Sequence, residues 1–227
     1  MFPATSARDK MPVLEFPDPE DTDEDGLLAI GGDLHPESLR LAYRSGIFPW
    51  PHTGMPLLWF SPPKRAILDF AHLHVPHRLA RLMRQCPFQI TIDQAFERVI
   101  LACQSAVRPG QSSTWITAEM VTGYREAHAL GFAHSIESWD EHGNLVGGLY
   151  GMDCGGVFAG ESMFYLQPNA SKLALLYLIG HLRERGSDFL DIQMMTPHLA
   201  ALGAEVIDRA VFLRRLAATQ RVGLRLF

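Results

Sequence analysis

The chain has 227 residues, 47% of them hydrophobic, a mean hydropathy of +0.02 and a net charge of −5. That is enough apolar material for a full core in at most two domains, and an ordinary soluble globular protein is expected. No apolar run approaches the ~20 residues of a membrane span, and the N-terminus lacks the basic and apolar order of an export signal. Residues 1–25 carry Arg8 and Lys10 against eight acids, while Arg209, Arg214, Arg215, Arg221 and Arg225 follow the last acid, Asp208.

The first ~60 residues, rich in Pro, Gly and aromatics, predict a small loop-rich domain (1–62) with one helix from Pro36 to Ser45, stopped by Gly46. The pattern turns regular over 63–227. A strand is expected near Arg65 to Phe70, then helices near Pro76 to Gln85, Asp93 to Gln104 and Ala118 to Leu130, the last capped by Thr117 and Gly131. On the second of these elements Arg78, Arg81 and Arg84 recur at helical spacing opposite Leu79, Leu82 and Met83. They form either a solvated face or an edge for nucleic-acid phosphates. Cys86, Cys103 and Cys154 are scattered, which suggests neither disulfides nor zinc; a reducing cytoplasm is the expected location.

Three consecutive strands follow, Ala133 to Trp139, Leu145 to Met152 and Val157 to Phe164, with turns at His142-Gly143-Asn144 and Asp153-Cys154-Gly155-Gly156. A helix from Ala170 to Arg185, a strand from Phe189 to Gln193, a helical turn after His198 and a helix near Arg209 to Ala218 complete the chain. The class is therefore α+β with a mixed, mainly antiparallel sheet. The element order resembles the GNAT (N-acetyltransferase) acyltransferase fold. In that fold the helix after the meander holds a pyrophosphate on a glycine-bearing turn. Here the turn reads Gln167-Pro168-Asn169-Ala170-Ser171-Lys172; it has no glycine, and proline removes a donor. An acyl-CoA-dependent N-acetyltransferase is thus the alternative, and a disfavoured one.

Strand, helix and strand with Glu161 at one strand end and Asp191 and Gln193 at the other form the expected site. Asp191 and Gln193, two apart on a strand, should share a face. Lys172 opens a helix against its dipole, either to bind an anion or to reach solvent. None of the ten histidines shows metal-ligand spacing, so neither a metal nor another cofactor is expected. No Gly-x-Ser-x-Gly or Cys-His signature predicts a covalent intermediate.

The blocks GLLAIGGDL (Gly26–Leu34), YRSGIFPW (Tyr43–Trp50), WFSP (Trp59–Pro62), TWIT (Thr114–Thr117), AHSIE (Ala133–Glu137), GGLYG (Gly147–Gly151), GESMF (Gly160–Phe164), NASK (Asn169–Lys172) and DIQ, followed by HLAALGA (His198–Ala204), resemble those of leucyl/phenylalanyl-tRNA–protein transferases. The resemblance implies transfer of Leu or Phe, and less readily Met, from aminoacyl-tRNA to proteins with N-terminal Arg or Lys, for the N-degron pathway. It implies partners Leu-tRNA and Phe-tRNA, no membrane and a monomer. Matched positions imply that Asp191 and Gln193 are the catalytic pair, hydrogen-bonding the acceptor amine, with the Asp191 carboxylate drawing off its proton. They imply a substrate pocket of Trp50, Trp115, Leu149, Phe158 and Leu178, with Glu161 at its edge and Thr196 nearby. Arg78, Arg81, Arg84 and Lys172 are the expected tRNA contacts. Leu149 stands where Met is usual and Leu178 where Phe is usual, which leaves the Leu-versus-Phe preference open.

Overall fold

The computed structural model describes residues 11–52, 54–85, 87–106 and 114–227; Cys86 and the start of the acidic lead-in lie outside them. The chain begins with β1 (Leu27–Ile30), α1 (Pro36–Arg44), β2 (Phe48–Pro49) and β3 (Leu58–Phe60). It continues through β4 (Lys64–Asp69), α2 (His77–Gln85), β5 (Gln89–Ile92), α3 (Phe96–Ser105), α4 (Ala118–Ala129), β6 (Ala133–Trp139), β7 (Leu145–Asp153) and β8 (Phe158–Tyr165). The last elements are α5 (Ala170–Glu184), β9 (Phe189–Gln193), α6 (Pro197–Ala200), β10 (Glu205–Asp208) and α7 (Arg209–Val222). This is a mixed α+β architecture. None of the helices described is long and apolar enough to cross a membrane.

A three-stranded antiparallel sheet, ordered β1-β3-β2, stands beside a seven-stranded sheet ordered β10-β4-β9-β8-β7-β6-β5. The larger sheet is antiparallel except where β8 runs parallel to β9. Alternation along each strand sends side chains to opposite faces. Tyr150 packs with Val99 and Ile100 of α3, Met120 and Tyr124 of α4, and Phe212 of α7. Leu149, one residue earlier, packs in a second core with Leu79 of α2 and Leu173, Leu178 and Ile179 of α5.

From Lys64 onward α2, α4, α5, α7 and the three-strand meander lie close to where turn and cap residues predict. Thr117 accepts the Met120 N–H at 3.2 Å, capping α4. Five strands are additional. β1, β2 and β3 hold four, two and three residues among prolines and glycines, too short for an alternation signal. β5 ends at Ile92, and the φ of +58° at the next residue, Asp93, turns the chain so that α3 starts at Phe96, later than predicted. β10 is a four-residue strand of mixed exposure at a sheet edge.

α4 approaches the N-terminal region closely. A Cβ added at Gly123 would lie 2.4 Å from the Leu34 carbonyl oxygen, which is backbone and cannot turn aside. Gly123→Ala is therefore expected to destabilise by about 1–3 kcal/mol through overpacking, overriding the ~1 kcal/mol that alanine normally adds in a helix. A urea melt at unchanged m-value would measure it.

Candidate active site

The parallel strands β8 and β9 share only two register positions, Phe158 with Leu190 and Ala159 with Asp191. Past them the strands separate, and a cavity of about 300 Å³ opens between them. Leu149, Leu175, Leu178 and Leu190 supply a buried aliphatic wall. The half-buried Trp50 and Trp115 also line it, stacked with centroids 5.7 Å apart at 24°. Polar groups come from Glu161, Ser162, Gln193 and Thr196; among the described lining residues Glu161 is the one carboxylate, and none is a cation.

A bulge places Glu161. Ser162 pairs with Tyr150 and Gly160 with Gly151, so Glu161 is the unpaired extra residue in mid-strand, not the strand end the sequence suggested. Such an insertion re-aims a side chain, here into the cavity. Gln193 Nε2 donates to Glu161 Oε1 at 2.8 Å, and the Tyr124 hydroxyl donates to Oε2 at 3.2 Å. Tyr43, from α1, joins through its hydroxyl, 2.5 Å from that of Tyr124. Burial lifts the Glu161 carboxyl from 4.5 to about 7; the Tyr43 and Tyr124 hydrogen bonds oppose that rise, the Asp191 charge adds to it and the Arg65 charge opposes it.

Asp191 and Gln193 do not lie side by side on the cavity wall. Asp191 is 1% exposed and is absent from the cavity wall. Its carboxylate accepts from Arg65 Nε at 2.8 Å and Nη2 at 2.7 Å, and from the Gln193 N–H at 3.0 Å. The Arg65 guanidinium is sandwiched by Phe48 and Phe212, 4.7 and 4.6 Å from their ring centroids. Gln193 has φ +53°, a region rare outside glycine and typical of constrained functional positions. The turn there carries its amide to Glu161 and to the wall.

Phe158 is also off the wall. Its side chain is fully buried and packs on Phe227, with centroids 5.6 Å apart. Thr196 lines the cavity and caps α6, accepting the Leu199 N–H at 3.3 Å. Lys172 is partly exposed near His198, whose pKa is lowered by burial first and by the Lys172 charge second. Arg78, Arg81 and Arg84 lie exposed along α2. Asp69, His72 and Glu205 bring possible ligand atoms within 4.8 Å of one another, but Asp69 is held by Arg215 at 2.8 Å and none of the three lines the cavity.

Sequence reasoning missed Arg65, Tyr43 and Tyr124. The one available signal was a cation at the start of the apolar run Ala66-Ile67-Leu68; its partner lies 126 residues away.

The first turn of α5 packs closely on β7. A Cβ at Gly147 would lie 2.9 Å from the Ser171 nitrogen and 2.5 Å from Ala170 Cβ, so β7 covers the start of the helix.

The family described as leucyl/phenylalanyl-tRNA protein transferase matches residues 67–217, and its N-terminal domain matches residues 32–63. A leucyl/phenylalanyl-tRNA–protein transferase of Maridesulfovibrio salexigens is 51% identical over 201 residues, covering 88% of this chain and 84% of that protein. One of Anaeromyxobacter dehalogenans is 52% identical over 202 residues, covering 89% and 86%. Among solved structures, L-PGS from Bacillus licheniformis aligns at 12% identity with a TM-score of 0.40, over 82% of this chain and 70% of that one.

Proposed function

We propose, from the premise that this chain belongs to the leucyl/phenylalanyl-tRNA protein transferase family of aminoacyltransferases, that it moves Leu or Phe, and less readily Met, from tRNA onto proteins beginning with Arg or Lys. The modified proteins would enter the N-degron pathway of the cytoplasm. The observation that carries this is a leucine-walled cavity whose described polar lining holds one carboxylate, tied to Gln193, and no cation. An unbranched-at-Cβ apolar side chain suits the wall, and a positively charged amine suits the carboxylate.

The acceptor nitrogen attacks the ester carbonyl of the aminoacyl-tRNA. A C–N bond forms, the C–O bond to the terminal ribose breaks, and the proton lost by nitrogen ends on the ribose oxygen. Amine and ester held in attack geometry supply about 7–11 kcal/mol, more than the ~3–5 of a general base. Gln193 fits the orienting role. Its NH₂ donates to Glu161, which leaves its carbonyl oxygen to accept from an incoming ammonium. Glu161 fits the proton-accepting role. An α-ammonium has a pKa of about 8, so transfer to a carboxylate near 7 is about 1 unit uphill, or ~1.4 kcal/mol, against ~5 for an ordinary glutamate. Asp191, locked to Arg65, is then a positioning residue that holds the Gln193 backbone.

Trp50 and Trp115 present faces for the terminal adenosine, and exposed Arg78, Arg81 and Arg84, with Lys172, would contact phosphates. The chain is read as a small domain over residues 1–62 and a GNAT-like catalytic domain over 63–227, supported by the two separate sheets and the parting of β8 from β9. Acyl-CoA as donor is disfavoured by the covered start of α5. The test is transfer of radiolabelled Leu from Leu-tRNA to peptides starting with Arg, Lys or Ala, with Ile-tRNA and acetyl-CoA as rival donors. Label on the Arg and Lys peptides from Leu-tRNA alone is expected; acetylation with silence from Leu- and Phe-tRNA would replace the donor.

A further inference from the structure

The parting of the two strands leaves part of β8 without a neighbour. Beyond Ala159, β8 stays paired with β7 and β9 with β4, and no described strand lies on the other side of β8 from Met163 to Tyr165. The Leu166 N–H donates to the Val146 carbonyl at 2.7 Å, which fixes the phase of this antiparallel ladder. Residues bond across such a pair alternately. Phe164 and Ser162 therefore turn their backbone groups to β7, while Met163 and Tyr165 turn theirs into the opening. Met163 lines the cavity next to Glu161 and Ser162, and Tyr165 and Leu166 are 66% and 74% exposed. The open edge thus runs from the carboxylate to the surface.

We propose that this edge of β8 binds the backbone of the acceptor polypeptide, which enters the opening as a short parallel strand with its α-amino group at Glu161 and Gln193. The proposal rests on the acceptor reading given above. The donor is a poorer occupant: it offers a single aminoacyl residue, whereas Met163 and Tyr165 are about 7 Å apart along the strand. An extended peptide repeats its N–H and C=O groups at that spacing. Strand addition also suits the chemistry required. Main-chain hydrogen bonds give affinity without side-chain selectivity, as needed by an enzyme whose protein substrates share only their first residue. An amine at Glu161 and a chain leaving past Tyr165 set the direction parallel to β8, and every second peptide N–H then faces it.

The test is a series of Arg-initiated acceptor peptides, each N-methylated at one of the second, third or fourth residues. The KM of the acceptor is expected to rise about 3- to 10-fold for methylation at alternate positions, from the loss of single backbone hydrogen bonds, and to hold at the others. The KM of Leu-tRNA stays constant throughout. Tyr165→Pro, which removes an N–H that faces the opening and none that faces β7, raises acceptor KM comparably with unchanged thermal unfolding; if that variant does not fold, the peptide series on the native chain decides. Equal sensitivity, or none, at all three positions overturns the proposal. Failure of the unmethylated peptide to accept Leu overturns the acceptor reading itself.

Discussion

Asp191→Ala is expected to destabilise the protein by about 3–5 kcal/mol and to abolish transfer, although Asp191 does not touch the cavity. The substitution strands the Arg65 guanidinium, 1% exposed and clamped between Phe48 and Phe212. A buried ion pair adds little net stability because desolvation offsets its attraction, yet losing one member exposes the full cost of the other. It also strips the Gln193 N–H of its acceptor and frees a backbone held at φ +53°. Arg65→Met combined with Asp191→Leu separates the two effects. That pair should recover most of the stability, since an apolar replacement of similar volume is often neutral or better, while transfer stays low because Gln193 is still unanchored. Denaturant unfolding and Leu transfer, measured on the single and double variants, give the answer. A single variant within 1 kcal/mol of the parent would contradict the buried pair; full activity in the double would show that Asp191 serves stability alone.

The Arg65–Asp191 pair also marks where sequence reading stops. The meander was legible because its turns carry their own chemistry: Gly143 sits at φ +74° and Gly155 and Gly156 at +88° and +103°, conformations that glycine adopts without strain. The caps Thr117 and Gly131 set α4 in the same local way. The residues Trp50, Trp115, Leu149, Leu178, Glu161, Gln193 and Thr196, singled out from the sequence, all line one cavity. Asp191 and Phe158, implied by the same resemblance, do not. A strand pattern assumes extended backbone throughout, and the left-handed turn at Gln193 and the bulge at Glu161 break that assumption. Neither leaves a local sequence signal, and the 2.8 Å bond that joins these two side chains spans 32 residues of chain.

Glu161→Gln is expected to lower kcat by about 100-fold or more, the range of a general base, and to change the shape of the pH profile. In the native chain kcat should rise with pH through about 7, where Glu161 becomes a carboxylate. The acceptor ammonium adds its own limb near 8, and the glutamine variant should keep that limb alone. An identical profile in both proteins would assign the pH dependence to the acceptor and leave Glu161 an orienting role. The same substitution has a signature in stability. Because the folded Glu161 titrates at about 7 and the free side chain at 4.5, the native state holds a proton that the unfolded chain has released. The contribution of this group is fully present below about 4.5 and lost as pH rises through 7. A permanently neutral glutamine avoids that loss and still accepts from Tyr124, so the variant should gain stability relative to its parent between pH 5 and pH 8. A carboxylate kept at its own expense to the fold, and facing a leucine-walled cavity, is expected where a proton must be taken.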